Sequence, residues 1–90
     1  MYYTPEEASL IDGVLATYIL PRAGSAEMHN AYMAIHQHLQ QDQVTAEDLQ
    51  RIKDGLYFVL PLFKNDMRMH RDLIGAIATT HAMIKGVTIT

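Results

Sequence analysis

The sequence contains no cysteine, so neither a disulfide framework nor a thiolate metal site is open to it. Long apolar runs are absent as well. The longest, Leu56–Phe63, is about eight residues, far short of the roughly 20 needed to span a bilayer. Charge is sparse: seven Lys and Arg against ten Asp and Glu leave a net charge of −3. A general nucleic-acid binder needs clustered cations, and an acidic mimic of DNA needs many more carboxylates. No basic segment opens the chain, because Tyr2, Tyr3, Glu6 and Glu7 stand where a signal peptide carries Lys or Arg. There is no internal repeat, low-complexity tract or linker. A cytoplasmic protein without a membrane partner is the expectation these absences leave.

What is present is ordinary globular material, 49% apolar and 19% charged. Ninety residues suffice for one hydrophobic core and not for two. The chain is organised around Gly55–Phe63, which has no charged residue and only Pro61 among its large apolar side chains. Leading into it, Leu49 and Ile52 sit among Glu47, Asp48, Gln50, Arg51, Lys53 and Asp54. Leu49, Ile52, Leu56, Val59 or Leu60, and Phe63 recur at helical spacing. The helix thus starts with one apolar face and ends apolar all round, and such an end must be covered by its own chain or by another.

Around it three further helices are predicted. Thr4-Pro5-Glu6-Glu7 combines a cap, a first-turn proline and the glutamate of a capping box, and Pro21 closes that helix. Ser25 caps a second helix with a seam of Met28, Tyr32, Ile35 and Leu39. Thr45 caps the third, with Asp48 in the place of the capping-box glutamate, and Pro61 stops or kinks it. Asp66 opens the fourth, where Met67, His70, Ile74, Ile77, His81 and Ile84 recur along one face and Gly86 is the expected stop. Gly75, Ala78, Ala82 and Gly86 form a stripe of small residues. Gly13 and Gly55, each about 1 kcal/mol worse than alanine in a helix, are expected to be tolerated without a packing role. The expected fold class is all-α: a bundle of about four helices over 5–20, 26–41, 46–60 and 66–85, with a tail at 87–90 and room for completion by homodimerisation.

No motif specifies a chemistry. His29 and His36, and His70 and His81, return to similar faces but lie roughly 10–16 Å apart along a helix, too far to chelate one ion. Met67, Met69 and His70 are soft donors, yet methionines at helical spacing are more often packing residues. His70-Arg71-Asp72-Leu73 matches the start of a kinase catalytic loop by coincidence, since the magnesium-binding Asn would fall at Ile77. Ser9 and Ser25 lie in no nucleophile elbow, and the acidic pairs Glu6-Glu7 and Glu47-Asp48 suit first helical turns. Neither catalysis nor a cofactor or metal is therefore expected. A helix-turn-helix could be drawn from helices 26–41 and 46–60, with Lys64, Arg68 and Arg71 as nucleic-acid contacts. Its reading helix would open with Glu47 and Asp48, the wrong charge for phosphate. The favoured expectation is a regulatory or adaptor module that binds protein, first of all a second copy of itself. Its candidate interface is Tyr57, Phe58, Leu62 and Phe63 with Gly75, Ala78 and Ala82.

Overall fold

The computed structural model describes the backbone of residues 2–89 and the side chains of residues 2–86. Four helices form an all-α bundle, and no strand occurs among the described residues. Helix α1 is Pro5–Val14. It begins where the sequence places it, with the Thr4 hydroxyl accepting Glu7 N–H at 3.1 Å and the Glu7 carboxylate accepting Thr4 N–H at 3.0 Å. The chain then widens into a π-helical turn at Leu15–Ile19 and tightens into a 3-10 turn at Leu20–Arg22. Pro21 accounts for both. Its ring would meet the Thr17 carbonyl in a regular helix, and the wider turn moves that carbonyl aside. The expected break at Pro21 is thus a distortion that carries the helical path one residue further.

Helix α2 is Ala26–Gln40, capped by Ser25, whose hydroxyl accepts Met28 N–H. Only Ile35 of its seam is fully buried, while Met28 is exposed. The helix closes with Asp42 in the left-handed region, φ 54°, and Gln43 N–H bonded back to the His38 carbonyl at 2.9 Å.

Helix α3, Ala46–Val59, is the most deeply inserted. Its Leu49, Ile52, Leu56 and Val59 are each at most 1% exposed, at steps of three and four residues. Asp48 completes the Thr45 capping box and also accepts the His38 Nδ1–H at 2.6 Å, which joins the end of α2 to the start of α3. At Pro61 the helix gives way to a 3-10 turn, Leu60–Phe63. Asp66 then caps α4, Met67–Ile89, by accepting Met69 N–H at 3.1 Å.

Two expectations about α4 are corrected. Gly86 does not stop it; the helix continues to Ile89, because no described glycine adopts the positive φ that a glycine stop requires. The segment 87–89 is therefore helical, and residue 90 lies outside the described residues. The buried face is also rotated. Leu73, Ala76, Ile77 and Thr80 are buried, whereas Met67 is 85% and Ile74 48% exposed. A third correction concerns Gly55, buried where α3 crosses the first helix: a Cβ there would lie 2.6 Å from Leu15 Cδ2 and 3.4 Å from Ile19 Cγ1. Its missing side chain is what lets the two helices approach.

Hydroxyl groups on α4 anchor the N-terminal segment. Thr80 donates to the Ala76 carbonyl at 2.8 Å, which leaves its oxygen to accept the Tyr3 O–H at 2.6 Å. Thr79 donates to Glu7 Oε2 at 2.6 Å, so one carboxylate both caps α1 and ties it to α4. Burial pushes the Tyr3 pKa from 10.0 up to about 12; the Thr80 hydrogen bond opposes the rise and the Glu7 charge adds to it. At Glu7 burial favours the neutral acid, yet the bonds from Thr4 N–H, the Thr79 hydroxyl and the Thr4 side chain together outweigh it and lower the pKa.

The signs are opposite for the two groups. A depressed carboxylate stabilises the fold above its unfolded pKa, and that contribution is lost as pH falls through the folded value. A raised phenol contributes fully below pH 10.0, and its contribution is lost as pH rises toward about 12. Thermal melts should therefore show stability declining on acidification below the ordinary carboxylate range, and again in that alkaline window. Tyr3→Phe removes one titrating group and should shallow the alkaline limb. An alkaline limb of unchanged slope would assign it to other groups, Tyr32 among them, whose pKa burial also raises.

No helix among the described residues is long and apolar enough to cross a membrane.

Candidate functional site

The apolar stretch Gly55–Phe63 is divided between two environments. Leu56 and Val59 enter the core, and Gly55 faces the π-helical turn Leu15–Ile19. Tyr57, Phe58 and Leu62 point outward with 48%, 49% and 54% of their surface exposed. The reason is geometric: residues at i, i+3 and i+4 cover one helix face, and the residues between them must take the other. Phe63 turns back and packs edge-on against Tyr18, ring centroids 5.6 Å apart, so it is half-buried at the margin of the core.

The exposed aromatic ridge of α3 continues onto α4. The Tyr57 hydroxyl hydrogen-bonds His81 Nε2 at 2.9 Å, and the two rings meet edge-on at 5.9 Å. His81 shares a face of α4 with Ala78 and Ile74, both exposed. Gly75 is open to solvent, with nothing within 4 Å of the position a Cβ would take; Ala82 is half-buried. The small-residue stripe therefore serves no close helix crossing at Gly75 within this chain. At the other edge, Arg22 lies over the Phe58 ring at 5.3 Å, a cation–π contact that leaves much of the ring uncovered.

Lys64, Arg68 and Arg71 are all exposed, but only Arg68 and Arg71 lie on α4; Lys64 sits in the turn before it, outside the helix on which the expected face was drawn. Arg71 faces carboxylates: with Asp72, Glu6, Glu7, Leu10 and Gly75 it lines a cavity of about 330 Å³. The helix α3 that a helix-turn-helix reading would place in a DNA groove is instead the central core helix, and its N-terminus is engaged with His38.

The histidines are dispersed among separate partners. His36 pairs with Asp12 at 2.7 Å, His38 with Asp48 at 2.6 Å, and His81 with Tyr57. Among the described residues no group of three or more His, Asp or Glu gathers where an ion could be held. The Asp12–His36 pair was not legible from spacing. Its members lie 24 residues apart on different helices, and only the α1–α2 packing brings them together.

No protein-family model matches the chain, and neither a curated protein nor a solved structure is significantly similar to it.

Proposed function

We propose that this chain is a non-catalytic helical module that binds protein through the outer face of α3 and α4, and that its first partner is a second copy of itself. One observation carries the proposal: Tyr57, Phe58, Leu62 and Ile74 expose about half their surface on a bundle whose core is already filled by their neighbours. Their contacts inside the described chain, Tyr57 with His81 and Phe58 with Arg22, leave about half of each ring uncovered. Aromatic residues and depleted charge mark the centres of protein interfaces, and adjoining exposed apolar groups mark binding surfaces. A two-fold arrangement lets one such face cover itself, and the exposed Gly75 and Ala78 allow another backbone to come near. A cytoplasmic, regulatory or adaptor role belongs to the same reading, in which the dimer presents its remaining surface to a further protein.

Light scattering across a concentration series, from about 10 µM to about 1 mM, tests it. The expected result is a shift from the 10.2 kDa monomer toward twice that mass. Phe58→Asp should move the midpoint at least roughly tenfold higher in concentration, by placing a charge in the apolar contact, with the helical circular dichroism unchanged. Ala78→Leu should act in the same direction. A mass that stays at the monomer value throughout sinks the self-association.

A further inference from the structure

A second surface, sharing no residue with the α3–α4 face, has the properties of a small-molecule site. Between α1 and α2 lies a cavity of about 200 Å³, lined by Leu15, Ala16, Leu20, Met33 and Ile35 with Tyr32. The π turn that Pro21 imposes widens the first helix where Leu15 and Ala16 form the wall. A volume of this order holds a single six-membered ring; an engineered apolar cavity of about 150 Å³ takes benzene. Beside the Tyr32 phenol, the polar lining is one partly exposed pair, Asp12 and His36.

That pair sets the chemistry of the occupant. Asp12 is acceptor-only when ionised. The Nδ1–H of His36 is already donated to Asp12 Oδ1, so in the neutral ring Nε2 is an acceptor too. The Gln40 amide stands 3.4 Å from Nε2, a long and weak contact. Asp12 Oδ1 is taken by the His36 Nδ1–H, so Asp12 Oδ2 and, in the neutral ring, His36 Nε2 are the lone pairs the cavity offers a ligand. An anionic ligand would be repelled by the Asp12 carboxylate, and a cation would lose hydration against five apolar walls. The complementary molecule is a neutral aromatic ring carrying one hydrogen-bond donor.

We infer that the α1–α2 cavity binds a small neutral aromatic donor of the phenol class, its ring among Leu15, Leu20, Met33 and Ile35 and its hydroxyl on the Asp12–His36 pair. The inference stands apart from the proposed self-association, since Phe58→Asp leaves this cavity intact.

Methyl-resolved NMR of the full chain, titrated with phenol to about 10 mM, is the test. Saturable shifts are expected at Leu15, Leu20, Met33 and Ile35, with half-saturation near or below about 1 mM. Toluene has the ring without the donor and should bind at least roughly fivefold more weakly; benzoate should not saturate at all. Ala16 is exposed at the rim, so Ala16→Phe should fill the cavity and weaken phenol at least roughly fivefold without unfolding the chain; Met33→Trp serves as the second filling variant. Absence of saturation overturns the site. Equal binding of toluene or benzoate overturns the donor chemistry, phenol binding untouched by both filling variants overturns the location, and tighter binding of N-acetyl-tyrosinamide than phenol overturns a free small molecule as the occupant.

Discussion

Leu56→Ala is expected to lower the unfolding free energy by about 2–5 kcal/mol, while Phe58→Ala, two residues along the same apolar run, lowers it by less than about 1 kcal/mol. The larger side chain gives the smaller effect because the two stand in opposite environments. Leu56 is fully buried and packs in one cluster with Ile11, Ile52, Val59 and Leu73, so truncation leaves a void that the neighbours only partly refill. Phe58 is half exposed and touches Arg22. A domain of this size commonly has only about 5–10 kcal/mol in total, so Leu56→Ala removes a large share of it. Urea titrations well below the self-association range give both values from the midpoint at constant slope. Equal losses at the two positions would mean that Phe58 belongs to the core of the single chain, and the proposed binding face would go with it.

The same contrast shows what the sequence could and could not convey. Local signals were legible: both capping boxes, the Ser25 and Asp66 caps and the interruption at Pro61 each depend on residues within a few positions of one another. Four helices, their order and the central place of α3 followed from them. The rotation of α4 did not. The buried face, Leu73, Ala76, Ile77 and Thr80, is neither of the two stripes read from the sequence, and the Thr80 hydroxyl is acceptable in the core because Ala76 accepts from it and Tyr3, 77 residues away, donates to it. No helical periodicity encodes a partner that distant. Asp12–His36 is the same case on the functional side, a pair created by packing rather than by spacing. For the candidate interface, sequence identified the excess of apolar groups, and the structure separates Tyr57, Phe58 and Leu62, which face outward, from Phe63, which leans on Tyr18.

Gly55 carries the second large prediction. A Cβ at this position would stand 2.6 Å from Leu15 Cδ2, well inside ordinary contact, and Leu15 is only 4% exposed. Two effects compete on substitution. Replacing glycine inside a helix gains up to about 1 kcal/mol from propensity with alanine, and less with a β-branched residue. Overpacking costs about 1–3 kcal/mol and grows with every added carbon. Gly55→Ala should therefore be near neutral or mildly destabilising, because the end of the Leu15 side chain can turn away. Gly55→Val adds two more carbons toward Leu15 and Ile19, and is expected to lose about 3 kcal/mol. If the loss comes from this contact, Leu15→Ala must relieve it: the double variant should be more stable than the sum of the single effects by at least about 1 kcal/mol. Strict additivity would place the damage elsewhere on α3. The relief route also links the crossing to the α1–α2 cavity, since Leu15 lines both. A Leu15 side chain driven out of the crossing moves toward that cavity, so Gly55→Ala should weaken phenol binding even where it leaves the fold intact.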